Sequence, residues 1–347
     1  QVALMNLGYL LKHELKQHLK SWSLFISMFL SISICGFFVW YSPYNIILSG
    51  YASATYLFST LYWILLIYIP AITMGSICDE RNNGTLELLQ YKPIKIRDII
   101  GAKWLSLFII VFITIILTIP WCITISLMGN LDWLSTLCGY VGILLHSSLI
   151  LSISLFVSAK SKNSFNALFY TWIILLLLIG TPPALQLFGI KSNWEIIILR
   201  FNLHEYFKNM SRGVMYIHGT SLYIAITTIF NILTAQSLAN TQKQRGATIR
   251  RFIAIATILL IVIGTYFFPI KAAFTLSHKF SLSPTTTKVL KENSLPIHIN
   301  IYYSENISEQ DIRYSRDLFM LLRSIRSESN APFTTKTIKI NNPESER

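Results

Sequence analysis

The chain has 347 residues, of which 53% are hydrophobic and only 13% are charged, and its formal net charge is +13. A typical soluble domain has about 25% charged residues, so this composition excludes an ordinary soluble protein. In a soluble protein the positive charge would suggest a nucleic-acid partner. Here it is better explained by the orientation of a membrane protein, and we expect no nucleic acid to bind.

Residues 1–23 form the first predicted element, an amphipathic helix at the membrane surface. Its apolar side on a helical wheel carries Leu4, Leu7, Leu11, Leu15, Leu19 and Trp22. Its basic side carries Lys12, Lys16 and Lys20. We expect the apolar side to enter the acyl boundary and the lysines, with Trp22, to hold the helix at the membrane interface. The alternative is a cytoplasmic extension of the first membrane span.

Seven apolar segments follow, and each approaches the length of about 20 residues that a membrane span needs. The predicted spans are 24–41, 55–77, 104–128, 137–158, 167–182, 220–239 and 252–270. The first six form one domain over residues 24–240. A basic loop, 241–251, precedes the seventh span.

The basic residues alternate between the two sides of the predicted membrane. Fourteen Lys and Arg residues fall on the side of the N-terminus, against four in the long loop 181–219 on the other side. Because cytoplasmic loops retain Lys and Arg, the N-terminus is predicted to be cytoplasmic and residues from 271 onward extracytoplasmic.

His146 is the one ionisable residue well inside a predicted span. An ionisable residue at that depth is a functional hypothesis by default. The spans contain no carboxylate with which it could exchange a proton. We therefore interpret His146 as a neutral, structural residue that forms a hydrogen bond to a neighbouring helix.

The tail, residues 271–347, differs in composition from the membrane region. Helices are predicted at 283–292 and 308–326, from a Ser-Pro start and a capping box. Alternating apolar residues predict strands at 297–303 and 334–340. Strand, helix and strand in this order predict the start of an α/β domain, and we expect the chain to end within it.

The segment 79–103 is the strongest local signal in the chain. A turn is predicted at 82–84, a short amphipathic helix at 85–90 and a break near Pro93. We interpret the acidic residues of the segment as salt-bridge partners of Arg81 and the neighbouring lysines. By composition alone an ordinary solvated loop is the alternative.

This segment resembles the coupling region of ABC type-2 exporter permeases. The residues that match the pattern E-R-x-x-G-T-L-E-x-L and the later P, I and G-x-K are Glu80, Arg81, Gly84, Thr85, Leu86, Glu87, Leu89, Pro93, Ile99, Gly101 and Lys103. Arg212-Gly213-Val214 matches a phrase common at the end of the family's external loop. The resemblance covers residues 6–245.

The resemblance implies an all-α polytopic membrane protein, a six-span exporter permease followed here by a seventh span and the start of the extracytoplasmic domain. It implies a permease subunit in a bacterial inner (plasma) membrane that meets a second permease subunit. A separate ABC ATPase would bind at 79–103 and supply ATP and Mg²⁺. Glu80, Arg81, Gly84, Thr85, Glu87, Pro93, Gly101 and Lys103 would carry the coupling to that ATPase.

The tail resembles the auxiliary extracytoplasmic domain of gliding-motility ABC transport systems. The matching phrase runs from Pro296 through the Ile297 strand to Glu305. This suggests an alternative function: an ATPase-coupled membrane scaffold that acts mechanically on envelope or gliding-motility components.

Motifs of catalysis are missing from the sequence. It contains no GxxxxGK[ST], HExxH or GxSxG pattern and no CxxC metal pair. We therefore expect no catalytic residue, no metal site and no cofactor on this chain, which would be a transporter subunit and not an enzyme.

Overall fold

The computed structural model describes residues 2–41, 53–91, 95–188, 202–238, 253–258, 260, 262, 264–265, 271–273, 289–290, 297–304, 322, 325 and 333–340. The chain divides into two compact units, Gln1–Phe274 and Thr275–Arg347. The predicted basic loop 241–251, most of the loop after the first span and residues 189–201 of the predicted loop 181–219 lie outside the described residues.

The first unit is helical. Its helices are α1 (Val2–Leu19), α2 (Trp22–Tyr41), α3 (Thr55–Thr73), α4 (Cys78–Asn82), α5 (Thr85–Tyr91), α6 (Ile96–Ile116), α7 (Ile119–Met128), α8 (Trp133–Lys160), α9 (Ser164–Phe188), α10 (Leu203–Met210) and α11 (Ile217–Leu238). Side chains cap α8 and α10. Asp132 accepts from the backbone N–H groups that start α8, and Asn202 accepts from Glu205 N at 3.1 Å to start α10.

Five helical stretches of the described chain are long and apolar enough to cross a membrane. They are Leu24–Tyr41, Thr55–Asn82, Ile96–Met128, Trp133–Lys160 and Ile217–Leu238. They coincide with five of the seven predicted spans. The stretch Ser164–Gly180 is apolar but shorter, and the segment 253–265 is helical at its described positions. The total of seven spans therefore stays a prediction.

Two helices extend further than the sequence predicts. α6 starts at Ile96, two turns before the predicted start of the third span at 104. α9 continues to Phe188 through Pro182 and Pro183, which were predicted to end the fifth span at 182. Residues 181–188 are therefore helical, and the extracytoplasmic position of 181–219 stays a prediction. Proline is tolerated inside membrane helices, where neighbouring helices and local adjustments satisfy the freed carbonyls.

α8 is the centre of the helix bundle. Of the residues in its apolar membrane-spanning stretch 72% are buried, against 17% for the corresponding stretch of α2. Small residues allow close packing: a Cβ on Gly139 would lie 2.2 Å from the Phe58 ring of α3. A Cβ on Gly142 would lie 3.0 Å from Cβ of Met210 in α10. α3, α6, α9, α10 and α11 all pack against this helix.

Two strand pairs complete the described structure. In the first unit β1 (Val214–Tyr216) pairs antiparallel with β2 (Lys271–Ala273), a pairing that the sequence did not predict. In the second unit β3 (Ile297–Ser304) pairs parallel with β4 (Phe333–Ile340). The predicted strands at 297–303 and 334–340 are confirmed. Of the two predicted tail helices only residues 289–290, 322 and 325 are described, and these four are helical.

Candidate functional site

The sequence-predicted coupling segment begins where α3 bends into α4. Pro70 lies inside α3, and the chain turns between residues 74 and 77. Ser158 of α8 stabilises this bend, because its hydroxyl donates to the Met74 carbonyl at 2.8 Å. The same oxygen accepts from Ile77 N at 3.3 Å and Cys78 N at 3.2 Å. Backbone groups that the helix break leaves unpaired are thus satisfied inside the protein.

α4 is bound on one side to the end of α8 and to the turn that follows it. Arg81 donates to the Ala159 carbonyl, Asn82 Nδ2 donates to the Lys162 carbonyl at 2.9 Å, and the Ser164 hydroxyl donates to the Asp79 carboxylate. The last carbonyls of a helix lack intrahelical partners and form the negative end of its dipole. The positively charged guanidinium of Arg81 is therefore stabilised at this end of α8.

On its other side α4 joins two further helices through one lysine. Lys103 of α6 lies 2.9 Å from Glu14 Oε1 of α1 and 2.6 Å from Glu80 Oε1 of α4. Lys103 is only 1% exposed and Glu14 6%. We call Glu14, Lys103 and Glu80 the ion triad. It confirms that Glu80 is a salt-bridge partner, and the lysine involved lies 23 residues further along the chain.

The carboxylates and the ammonium of the ion triad are not matched one to one. Two carboxylates share one ammonium, and within the described residues Glu80 Oε2 has no hydrogen-bond partner. His18, one turn after Glu14, is partly buried near the triad. Burial lowers the pKa of His18, the Glu14 carboxylate opposes this shift and the Lys103 ammonium adds to it. His18 is therefore biased toward its neutral form and adds little positive charge beside the ion triad.

The predicted turn and short helix of this segment are confirmed. Gly84 adopts a φ of 72°, which is uncommon for residues with a Cβ, and so allows the chain to turn between α4 and α5. The Thr85 hydroxyl donates to the Glu80 carbonyl at 3.1 Å. In α5 Leu86 is buried, whereas Glu87 and Leu88 are exposed. α5 therefore presents a short surface with one acidic and one apolar side chain.

The remaining predicted coupling residues lie in different surroundings. A Cβ on Gly101 would lie 3.4 Å from Leu7 Cδ1, so this glycine is at the contact between α1 and α6. Pro93 lies outside the described residues. Of the seven coupling residues that are described, Thr85 and Glu87 are exposed in α5, whereas Glu80, Gly101 and Lys103 lie at the contacts between α1, α4 and α6.

α1 is a helix, as predicted, but its packed side differs from the side expected on the helical wheel. Leu10 is buried with Ile99 and Ala102 of α6, and Glu14 is buried beside it. The wheel grouped Leu7, Leu11 and Leu15 on the apolar side and did not include Leu10 or Glu14. The predicted interface residues Lys12, Lys16 and Lys20 are exposed, and Trp22 is 82% exposed.

Two residues of the site were missed by sequence reasoning. Glu14 is the one acidic residue in the strongly basic N-terminal helix, and this isolation was a usable signal for a buried partner. Ser158 is one of many serines in α8, and no sequence pattern distinguishes it from the others. Its role depends on the α3 bend lying beside it.

His146 lies apart from this site, at the centre of α8. It is fully buried, and its ring stacks on Tyr62 of α3 at 4.0 Å between centroids. Neither ring nitrogen makes a hydrogen bond of acceptable geometry with the described residues, although the Tyr62 backbone lies nearby. The expected hydrogen bond to a neighbouring helix is therefore not established; the Tyr62 backbone of α3 is the group placed to accept it, and the His146 ring stacks on Tyr62.

These contacts describe a polytopic membrane protein in which α4 is held to α8 on one side and to α1 and α6 on the other, at one end of the helix bundle. Comparison with protein families agrees with the permease interpretation. The family model of the ABC-2 family transporter protein matches residues 9–277, so the chain belongs to this family of ABC transporter membrane subunits. It is therefore a transporter subunit rather than an enzyme.

The tail matches a different family model. Residues 277–347 match a domain of unknown function (DUF7088). The predicted likeness to a gliding-motility auxiliary domain is not confirmed by this match. A comparison with curated proteins finds no matching relative.

Proposed function

We propose that this chain is the permease subunit of an ATP-driven exporter in a bacterial inner membrane. A separate ABC ATPase, which binds ATP and Mg²⁺, docks on α5 and its neighbours. Movement of α5 is passed through α4 and the ion triad to α1 and α6. The observation that carries this proposal is Lys103, which is buried between a carboxylate of α1 and a carboxylate of α4.

The exposed part of the segment suits a docking surface. Leu88 is 65% exposed beside the Glu87 carboxylate, on a helix of only seven residues. An exposed leucine alone needs no explanation. The segment as a whole differs from an ordinary solvated loop, because α4 behind α5 is held by the contacts to α8 and by the ion triad. A displacement of α5 would therefore also displace the helices to which α4 is bound.

The arrangement of the basic residues supports a cytoplasmic location for this site. Contacts between Glu14, Lys103 and Asp79 and their partners bring the N-terminal helix, the start of α6 and the α8–α9 turn to one end of the bundle. These three places carry many of the Lys and Arg residues counted in the sequence. Under the positive-inside rule this end faces the cytoplasm. β1 and β2, which pair with each other, both belong to segments predicted to be extracytoplasmic.

A second permease subunit completes the proposed transporter. α2 exposes aromatic residues along most of its length, including Phe25, Phe29 and Phe37. Lipid and a second subunit can both cover such a surface. The charge-poor spans suit an amphiphilic substrate. The alternative mechanical function receives no support from the family matches, and we do not adopt it.

Co-purification tests the proposal. The full chain is extracted from its native membrane in mild detergent, and the bound ATPase is identified and its ATP turnover measured. Glu87→Lys should reduce permease-dependent turnover by roughly fivefold or more, within the range of typical coupling free energies. Asn130→Lys, an exposed substitution in the turn before α8, is the matched control and should have no effect. Equal turnover in both variants would exclude α5 as the docking surface.

A further inference from the structure

α1 lies across α6 rather than alongside it. A Cβ on Gly101 of α6 would lie 3.4 Å from Leu7 Cδ1, and Lys103 lies 2.9 Å from Glu14, two turns further along α1. Residues 7 to 14 of a helix span about 10 Å, whereas Gly101 and Lys103 are about 3 Å apart along the axis of α6. α6 belongs to an apolar stretch that is long enough to cross a membrane. A helix that crosses α6 steeply therefore lies along the membrane surface.

The side of α1 that faces away from α6 is basic. Leu10 and Glu14 are buried at the contact with α6. Lys12 and Lys16 are exposed, and so is Lys20, which directly follows the last residue of α1. Residues four apart in a helix lie on the same side. The three lysines therefore form one row, which we call the basic face.

The basic face has no carboxylate beside it that could neutralise its charge. Glu14 is the only Asp or Glu among the first 78 residues, and its carboxylate is buried against Lys103. In the part of the chain that the structure describes, both ion pairs belong to Lys103. Like charges four residues apart repel each other and destabilise a helix. An anion from outside the chain would therefore stabilise α1.

The basic face ends where the membrane begins. Ser21 N donates to the His18 carbonyl at 3.0 Å, so a tight turn joins α1 to α2. Trp22, the first residue of α2, is exposed, and the apolar membrane stretch starts at Leu24. Tryptophan side chains are enriched at the headgroup level of a bilayer. Lys20 lies at the same level, where the headgroups of anionic lipids attract basic side chains.

The leucines next to the basic face favour a lipid surface over an acidic protein surface. On the helical wheel Leu11, Leu15 and Leu19 lie between the buried side of α1 and the lysines, and Leu19 is 52% exposed. In a helix at the membrane interface such a flank enters the acyl boundary while the basic side chains reach the headgroups. An acidic protein surface would pair with the lysines and leave the exposed leucine unexplained.

We propose that the basic face of α1 binds the anionic headgroups of membrane phospholipids, and that this binding holds α1 across α6 beside the ion triad. The packing of α1 on α6 then depends on the lipid composition of the membrane. Any effect of lipid on ATP turnover rests on the proposed function. Lipid binding and the packing of α1 are measured on the full chain without the ATPase.

Fluorescence quenching tests the lipid site. Gln17→Cys, an exposed position on α1, carries a fluorophore, and the four native cysteines are buried. The full chain is placed in phosphatidylcholine bilayers that contain spin-labelled phosphatidylglycerol or, at the same mole fraction, spin-labelled phosphatidylcholine. Phosphatidylglycerol should quench more strongly, and its advantage should shrink as the salt concentration rises.

Charge variants locate the site. Replacing Lys12, Lys16 and Lys20 by Gln should abolish the preference for phosphatidylglycerol, since each lysine near an anionic surface contributes roughly fivefold in binding. Replacing the same three by Arg keeps the charge and should keep the preference. Lys95→Gln with Lys160→Gln and Lys162→Gln removes three exposed charges elsewhere and is the matched control. Equal quenching by both lipids in the unmodified α1, or equal losses in the two Gln variants, would overturn the lipid site.

A disulfide tests whether the lipid holds α1 in place. Leu10→Cys with Ile99→Cys, which belong to one buried cluster, should oxidise at least roughly twofold faster in vesicles with phosphatidylglycerol than in pure phosphatidylcholine. The Lys→Gln triple variant should show no such difference. Equal rates in both vesicles for the chain with its lysines would show that lipid does not hold α1, and would overturn this part of the proposal.

The same label distinguishes lipid from a protein partner. If the chain alone shows no lipid preference and the fluorophore at Gln17→Cys changes only when the ATPase co-purifies, the basic face binds the ATPase and the lipid site is wrong. If no ATPase co-purifies, the proposed function fails, whereas the quenching and disulfide results still decide the lipid site.

Discussion

Replacing Lys103 by methionine is the most direct perturbation of the ion triad. Methionine keeps most of the side-chain length and removes the ammonium between Glu14 and Glu80. Two carboxylates then remain without a cation in a region where Glu14 is 6% exposed. Removing one partner of a buried ion pair typically costs about 3–5 kcal/mol, because the remaining charge is left uncompensated. We expect Lys103→Met to lose a stabilisation of this size.

The expected result is a local loss of packing of α1 on α6. A cysteine pair at Leu10 and Ile99, which belong to the same buried cluster, reports this packing by disulfide yield. Lys103→Met should lower the yield strongly and reduce ATP turnover in the complex. The heat-induced unfolding of the purified chain, followed by intrinsic fluorescence, should also shift to lower temperature.

A charge-neutral version of the triad separates the electrostatic cause from loss of packing. Glu14→Gln and Glu80→Gln, added to Lys103→Met, leave no buried charge and should recover most of the lost stability. If Lys103→Met is as stable as the parent, or if the two Gln substitutions restore nothing, the argument from an uncompensated buried charge is refuted. Recovery of stability without recovery of turnover would assign the ion triad to coupling rather than to folding.

Three further predictions follow from the same structure. Ser158→Val should destabilise the α3 bend by about 1–3 kcal/mol, because three backbone groups lose their partner, and thermal unfolding compared with Ser154→Val measures it. Asn300→Cys in cells with permeabilised outer layers should react with an impermeant thiol reagent, whereas Glu87→Cys should not; the reverse pattern would refute the orientation. Burial lowers the pKa of His18, so protonation of His18 opposes the packing of α1 on α6. This packing should therefore weaken as the pH falls below about 6.5, and His18→Gln should abolish that pH dependence.

The sequence alone determined the class of protein and most of its helices. Long uncharged segments can be satisfied only by membrane-spanning structure, so apolar length and the distribution of Lys and Arg carry this information locally. The turn at Gly84, the short helix that follows and the strands at 297–303 and 334–340 were likewise predictable, since each depends on neighbouring residues.

The tertiary structure decided which of those residues act together. Glu14 and Lys103 are 89 residues apart, and no local pattern shows that a surface-helix carboxylate is buried beside a lysine counted as cytoplasmic. The strands β1 and β2 are three residues each, too short for a period-2 signal, and they exist because two distant segments meet. The physical reason is common to both cases: an ion pair or a strand ladder is a property of two segments, and its energy is gained only after the fold has brought them together.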